Sequence, residues 1–123
     1  MKKYSLFILI LLSLSFVGCS SKEIIYHENG EIKYEGRIRN EIPHGKGIEY
    51  LESGDIKYEG MFQDGLPNGK GIMYFFAQGD PWYRYEGEFK DGLPHGKGKE
   101  YFNNNNIKYE GEFKEGKRHN KGK

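Results

Sequence analysis

The chain repeats one segment of sequence along most of its length. Residues 34–50, 58–74 and 85–101 read YEGRIRNEIPHGKGIEY, YEGMFQDGLPNGKGIMY and YEGEFKDGLPHGKGKEY, and a fourth copy starts at position 109. The starting positions 34, 58, 85 and 109 place successive copies 24, 27 and 24 residues apart. A period in this range is typical of a stacked array in which one supersecondary unit repeats.

Within each copy, apolar and polar residues alternate. In the third copy, Tyr83, Tyr85, Gly87 and Phe89 are separated by charged residues, and the other copies follow the same order. Period-two alternation predicts a half-buried β-strand with one aromatic and aliphatic face and one charged face. An insertion around Trp82 accounts for the single longer period. The sequence therefore predicts an all-β chain in which each copy is a hairpin.

Two kinds of turn signal separate the predicted strands. Asn29-Gly30 lies between two alternating segments and predicts a type I′ turn, because Asn and Gly accept a positive φ. Equivalent positions in later copies hold Ser53-Gly54, Gln78-Gly79 and Asn104-Asn105. The other connection contains Asp-Gly and Pro, as at residues 64–68, and Pro does not fit a central strand. We therefore expect a loop there, with the next strand starting at Gly69.

Glycines also recur inside the predicted strands, at Gly36, Gly47 and the equivalent positions of the other copies. A glycine weakens a strand by itself, so a repeated glycine beside a repeated aromatic residue needs a packing reason. We expect each ring to lie flat over the bare backbone of the neighbouring strand. The alternative is that these glycines mark bulges or bends.

The pattern Tyr-Glu-Gly-x-Phe-x-x-Gly-x-x-x-Gly-x-Gly, as at residues 85–98, resembles the MORN repeat. The resemblance covers residues 26–123, with departures at Glu41 and Asn120, which replace glycines. It implies an elongated, twisted antiparallel sheet of repeated β-hairpins, a MORN-type array. It also implies a scaffold, a dimerisation element or a membrane-associated module, and phospholipid binding has been proposed for some members of the family.

The chain begins with a positively charged start and an apolar run from Leu6 to Val17 that only two serines interrupt. This run is short for a membrane-spanning helix, which needs about 20 apolar residues, and it fits a signal peptide. Its end, with Gly18 before Cys19, resembles the lipobox of bacterial lipoproteins. We predict a signal peptide at residues 1–18, a lipidated Cys19 with a tether at residues 19–25, and a repeat domain at residues 26–123.

The sequence contains a single cysteine, Cys19, so no intrachain disulfide can form. Its position at the end of the leader favours acylation, and acyl chains would hold the protein on a membrane. The alternative is an incidental thiol in an ordinary cleaved leader. Lipidation predicts a membrane-anchored lipoprotein of the cell envelope that faces the periplasm or the cell exterior.

The residues give no support to an enzyme. The 19 Lys and Arg residues balance 18 Asp and Glu residues, which argues against nucleic-acid binding. The segment GLPNGKG at residues 65–71 lacks the spacing and the helix of a phosphate-binding loop. His44, His95 and His119 share one repeat position, and a spacing of about 10 Å between copies is too large for one metal ion. We predict no catalytic site, no metal site and no cofactor.

The end of the chain is basic. Positive side chains of the last ten residues are Lys114, Lys117, Arg118, Lys121 and Lys123. A terminal run of like charge is typically solvated and makes no specific contact. We therefore expect a solvated tail at this end.

Exposed aromatic residues are the candidate binding site. A single sheet of this size has too little chain to cover its aromatic face. We therefore expect the rings to be only partly buried and to leave an apolar stripe of the kind that marks interaction sites. The candidate binding residues are Trp82, Tyr83, Tyr85, Tyr58 and Tyr109. The alternatives are rings that serve stability alone, and recognition by the charged surface through Lys46 or Lys70.

A membrane-anchored module for protein interaction or scaffolding in the cell envelope fits these observations best. It would contact the membrane through its lipid anchor and bind a protein partner or a second copy of itself. The alternative is a module that binds glycans or phospholipid head groups through exposed aromatic residues. A third interpretation, an antitoxin-like variant of the MORN repeat, is disfavoured because the leader would remove the protein from a cytoplasmic toxin.

Overall fold

The computed structural model of the protein describes residues 22–77 and 80–119, with the backbone alone at residues 77 and 80–82. The strands in these residues are β1 (Lys22–Tyr26), β2 (Ile32–Arg39), β3 (Ile42–Tyr50), β4 (Ile56–Gln63), β5 (Leu66–Ala77), β6 (Asp80–Lys90), β7 (Leu93–Phe102), β8 (Ile107–Lys114) and β9 (Lys117–His119). Each strand pairs antiparallel with its sequence neighbours in one sheet. The prediction of an all-β array of hairpins is therefore confirmed.

The sheet includes residues that the sequence assigns to the tether. β1 pairs with β2 from Lys22 onward, so the ordered array starts before Tyr26. The physical reason is Ile25, which packs against the buried aromatic residues of the core. No helix in the described part of the chain is long and apolar enough to cross a membrane.

The two kinds of turn are reversed relative to the sequence prediction. The Asp64-Gly65 connection is a two-residue turn with φ values of 50° and 91°, which is the type I′ geometry. At the Asn29-Gly30 connection only Gly30 has a positive φ, and its amide donates to the carbonyl of His27 at 3.0 Å. That connection is a type I turn closed by a glycine bulge. The type I′ prediction at Asn29-Gly30 is therefore wrong.

The prolines lie inside strands, which corrects the loop predicted at residues 64–68. β5 starts directly after the two-residue turn, and Pro67 pairs with Phe62. The register between β4 and β5 shifts between Gly60 and Phe62, and Pro fits such a bulge because it has no N–H to leave unpaired. The Pro67 carbonyl accepts the amide of Gly92 at 2.9 Å, which ties one hairpin to the next.

The core is a ladder of interlocked rings on one face of the sheet, which we call the ring ladder. Its members among the described residues are each 7% exposed or less: Tyr34, Tyr58, Tyr85, Tyr109, Phe62, Phe89 and Phe113. Each phenylalanine lies edge-on between two tyrosines, with ring centroids 4.7–5.2 Å apart. Aromatic pairs favour this T-shaped geometry. The expectation that these rings are only partly buried is therefore wrong.

Glycines allow the tyrosine rings to lie flat on the sheet. The strand glycines pair in one row across β2 to β8. A Cβ added to Gly47 would overlap the hydroxyl and ring of Tyr34, so the ring occupies the space of the missing side chain. The Tyr34 hydroxyl then donates to the carbonyl of Arg37 at 2.5 Å. The prediction that a ring covers bare backbone on the neighbouring strand is confirmed for Tyr34, Tyr58 and Tyr85. The alternative also holds in part, because Gly36, Gly60 and Gly87 each stand at a bulge.

The basic end of the chain is not entirely a solvated tail. Arg118, in β9, donates two hydrogen bonds to Glu100 at 2.6 and 3.0 Å and lies over the ring of Tyr109 at 4.5 Å. Glu100 is 7% exposed, so Arg118 neutralises a buried carboxylate and covers one end of the ring ladder. The prediction of a solvated tail is wrong for Arg118, because Arg118 belongs to the sheet. It pairs with Phe113 in the same way that Pro94 pairs with Phe89 one copy earlier.

Candidate binding groove

The face of the sheet opposite the ring ladder carries a groove. Glu35 lies between Tyr34 and Gly36 in an extended strand, so its side chain points away from the rings. The groove has a volume of about 1100 Å³ and follows the glycine row from β1 to β8. Its two walls are formed by the glutamates of the Tyr-Glu-Gly triplets and by the lysines of the Gly-Lys-Gly triplets. The glutamate wall is Glu35, Glu59, Glu86 and Glu110, and the lysine wall is Lys46, Lys70 and Lys97.

The groove is long and narrow. Its walls are rows of side chains two residues apart along the strands, which corresponds to about 7 Å. Eight strands at a spacing of about 4.8 Å give a length of about 34 Å. This spacing, measured between Cα atoms, is too small for an α-helix to enter between the rows, since its diameter with side chains is about 10–12 Å.

Neighbouring side chains satisfy the charges of the glutamate wall. The Tyr50 hydroxyl donates to Glu35 at 3.3 Å, and the Tyr74 hydroxyl donates to Glu59 at 3.4 Å. Burial, and then the nearby glutamate charge, raises the pKa of both tyrosines, so their hydroxyls stay protonated as donors. Ion pairs add to this: Lys22–Glu35 at 3.4 Å, Arg84–Glu86 at 2.6 Å and Lys99–Glu110 at 3.8 Å.

Isoleucines alternate with glutamates along part of this wall. Ile48 pairs with Glu35 and Glu59 on its two neighbouring strands, and Ile72 pairs with Glu59 and Glu86. Both isoleucines are half-buried and line the groove. One side of the groove therefore offers apolar surface between carboxylates that already have partners.

The lysine wall presents charge to solvent. All three of its lysines are exposed, and none has an ion pair with another described residue. Lys46 stands opposite Met61 in the register of β3 and β4, whereas Glu88 and Glu112 stand opposite the other two. The positive character of the wall is therefore strongest between β3 and β5.

Three of the aromatic residues that the sequence predicts as binding residues are buried in the core. Tyr58 and Tyr85 are 0% exposed and Tyr109 is 7% exposed. Their hydroxyls donate to carbonyls three residues on, at 2.8, 2.9 and 3.3 Å respectively. Burial raises the pKa of Tyr85 to about 12. Rings held in this way offer a partner almost no surface.

Tyr83 lies beside the insertion and on the ring face. It is half-buried, stacks on Phe75 with centroids 4.7 Å apart, and has the Lys108 ammonium 4.6 Å from its ring centroid. The Trp82 side chain and the whole of Cys19 lie outside the described residues. Binding by Trp82 and Tyr83, and lipidation of Cys19, therefore stay predictions.

Comparison with known repeat families agrees with the geometry. The MORN repeat matches residues 58–77, 85–107 and 109–123, and the MORN repeat variant matches residues 22–40 and 43–64. The chain belongs to the MORN-repeat family. MORN repeats are typically non-catalytic modules that bind a protein or a membrane. A search of curated proteins finds no match to this chain.

The binding residues predicted from the sequence do not include the groove residues. The sequence predicts Lys46 and Lys70 only as alternative binding residues, and it does not predict Ile48, Ile72 or Met61 as binding residues. A signal is nevertheless present. One position of the MORN repeat changes from copy to copy, as Arg37, Met61, Glu88 and Glu112, whereas the Tyr-Glu-Gly triplet directly before it stays the same.

Proposed function

We propose that this MORN array is a membrane-anchored module of the cell envelope that binds another protein through its groove. The observation that carries the proposal is the lysine wall, whose cations are exposed and have no ion-pair partner in the described residues. The rings of the ring ladder cannot serve in the same way, because packing leaves each of them 7% exposed or less. A scaffold of this kind uses one face for stability and leaves the other for recognition.

The proposed anchor is the acylated thiol of Cys19. Acylation would follow removal of residues 1–18 and would keep the protein in the envelope, facing the periplasm or the cell exterior. Only two residues separate Cys19 from the start of β1 at Lys22. The array would therefore lie close to the membrane surface, where membrane-associated proteins are the partners within reach.

The burial of the tyrosines favours this proposal over a glycan-binding module. Glycan binding through stacked sugars needs exposed rings, and Tyr58 and Tyr85 have no exposed surface. The groove instead offers charged and aliphatic side chains, which suit a polypeptide.

Detergent partitioning tests the anchor. The wild-type protein should enter the detergent phase and the Cys19→Ala variant should stay in the aqueous phase, because each buried CH₂ of an acyl chain contributes about 0.8 kcal/mol to membrane affinity. Entry of the variant into the detergent phase would contradict lipidation.

Capture from solubilised envelope fractions tests the binding face. Proteins recovered with the wild-type chain should be lost with Lys46→Glu combined with Lys70→Glu and retained with Tyr83→Ala. If the captured proteins were lost with Tyr83→Ala and retained with the lysine variant, recognition would lie on the ring face, as the sequence predicts.

A further inference from the structure

The part of the groove between β3 and β5 differs from the rest in its charge. Here Lys46, Met61 and Lys70 follow one another on three adjacent strands. Met61 is 42% exposed and occupies the repeat position that Glu88 and Glu112 hold in the later copies. The two lysines of this part are therefore separated by an exposed apolar side chain, not by a carboxylate.

The Met61 position sets how much positive charge the wall presents. A glutamate directly across the strand from a lysine offsets its charge even without a close ion pair, because opposite charges in register attract. Lys70 and Lys97 have such a neighbour in Glu88 and Glu112, and Lys46 does not. An acidic ligand should therefore prefer the part of the groove between β3 and β5.

The spacing of the two lysines defines the ligand. They lie two strands apart, which is about 9.6 Å at a strand spacing of about 4.8 Å. An extended polyproline II chain rises about 3.1 Å per residue with three residues per turn. Acidic residues three positions apart would therefore lie on one side of such a chain at about 9.3 Å. The two residues between them would point about 120° away from the lysines, so one of them can face the opposite wall.

We propose that this part of the groove binds an extended segment of a protein partner that carries acidic residues at every third position with apolar residues between them. The carboxylates contact Lys46 and Lys70 on either side of Met61, and the apolar residues contact Ile48 and Ile72 on the other wall. This inference rests on the proposed function and names the class of partner that the groove takes.

The geometry favours a peptide over an anionic membrane surface. A bilayer presents a plane of head groups, whereas the two walls of the groove are rows only about 7 Å apart between Cα atoms. The isoleucines inside the groove would gain nothing from a head group, but they gain buried apolar area from an aliphatic side chain. A peptide uses both walls and a membrane would use only one.

The test is fluorescence anisotropy with the full chain and a labelled peptide of four Glu-Leu-Pro triplets. A control peptide has the same composition with its glutamates adjacent, so its charge is equal and its spacing is wrong. We expect saturable binding of the triplet peptide, at least about tenfold weaker binding of the control, and weaker binding as salt rises from about 50 mM to about 500 mM. Equal binding of the two peptides, or no binding of either, would overturn the proposal.

Matched variants test the residues. Lys46→Glu and Lys70→Glu should each weaken binding about tenfold or more, because a like charge at a binding contact repels the ligand. Lys90→Glu makes the same charge change on an exposed lysine outside the groove lining and should leave binding unchanged. Loss of affinity in the Lys90 variant as large as in the other two would mean that only net charge matters, and would overturn the proposal.

A swap between copies gives the sharpest result. Met61→Glu makes the second copy like the third and should weaken binding, whereas Glu88→Met makes the third copy like the second and should strengthen it. Both positions are exposed in the described chain, so the fold tolerates either change. Unchanged binding in both variants would overturn the proposal, and so would binding of the chain to anionic vesicles but not to the triplet peptide. The Cys19→Ala result is independent of these measurements, so a failed anchor and a failed groove can be distinguished.

Discussion

The ring face and the groove face come from the same repeat, yet they differ in how far the copies diverge. On the ring face, the four ladder tyrosines are all 7% exposed or less, and Tyr34, Tyr58 and Tyr85 each lie over a glycine of the neighbouring strand. On the groove face, one position holds Arg37, Met61, Glu88 or Glu112. The ladder tyrosines have no such freedom, because Tyr34, Tyr58 and Tyr85 each fill the space of a missing side chain. The groove face points to solvent, so its side chains can change without cost to the fold.

The difference indicates that stability and recognition are located on opposite faces of the sheet. Stability comes from the ring ladder, in which rings of one copy contact rings of the next. A change in one ring therefore affects the two rings that it contacts. Recognition can come from side chains that no neighbour needs. Variation between copies on one face therefore points to binding more directly than the aromatic residues do. The following changes test that division, from the largest expected effect to the smallest.

The largest effect is expected at the glycine row. In Gly87→Val, the added Cβ would stand 2.5 Å from the Gly98 Cα and 2.5 Å from the Lys97 carbonyl oxygen. Because these are backbone atoms of the neighbouring strand, we expect loss of the folded state, seen as loss of the cooperative thermal transition in circular dichroism. Gly54→Ala is the control, since nothing lies within 4 Å of its Cβ. That control should cost only about 1–2 kcal/mol for its positive φ. A folded, wild-type-like Gly87→Val would contradict the close backbone approach in the glycine row.

A ring of the ladder should matter nearly as much. Phe89 contacts Tyr58 and Tyr85 at 4.9 and 5.1 Å between centroids and is 4% exposed. Phe89→Ala should lower the free energy of unfolding by about 3–5 kcal/mol, measured by urea denaturation. Phe102→Ala removes the same ring from a position that is 45% exposed and should cost much less. Equal losses in the two variants would show that the ladder has no special role.

High pH should weaken the ring face selectively. Burial raises the pKa of Tyr34 and Tyr85 to about 12, against about 10 in the unfolded chain. The neutral tyrosines therefore contribute stability that is complete below pH 10 and is lost as the pH rises through 12. The urea midpoint should fall over this window. The double variant Tyr34→Phe with Tyr85→Phe should fall less, and a fall as steep as that of the wild type would contradict burial of these hydroxyls.

A smaller effect is expected at the end of the ring ladder. Arg118→Ala would leave the carboxylate of Glu100, which is 7% exposed, with only Lys108 at 3.9 Å. Because the Arg118 side chain is 45% exposed, solvent reduces the loss, and we expect about 1–2 kcal/mol. Lys117→Ala changes the exposed neighbouring cation and should be neutral. An unchanged free energy of unfolding in Arg118→Ala would support the solvated tail that the composition predicts for this end of the chain.

Much of the fold can be predicted from the sequence, because local rules determine it. Alternation at Tyr85, Gly87 and Phe89 predicts the strands, and a glycine beside an aromatic residue predicts the covering ring. The turns are less predictable, since Asn29-Gly30 and Asp64-Gly65 both suit a positive φ and only the register of the flanking strands decides which forms a type I′ turn. Pro67 fits a strand because a bulge removes the need for its N–H.

The site is harder to predict, because burial and register are properties of the assembled sheet. Tyr58 is typical of a binding residue by type, yet its 0% exposure follows from Phe62 of its own copy and Phe89 of the next. Arg118 appears in a basic run, and its partner Glu100 lies 18 residues away. Lys46 faces Met61 only once β3 and β4 are paired.

The central claim is that one face of the sheet packs and the other binds, and methyl NMR spectroscopy tests it most directly. The full chain, with isotope-labelled Ile and Met methyl groups, would be titrated with the Glu-Leu-Pro peptide. Ile48 and Ile72 line the groove and Met61 borders it, whereas Ile38 and Met73 pack against the ring ladder. We expect the signals of Ile48, Ile72 and Met61 to shift in a saturable way while those of Ile38 and Met73 stay in place. Shifts confined to Ile38 and Met73, or equal shifts at all five methyl sites, would contradict the account.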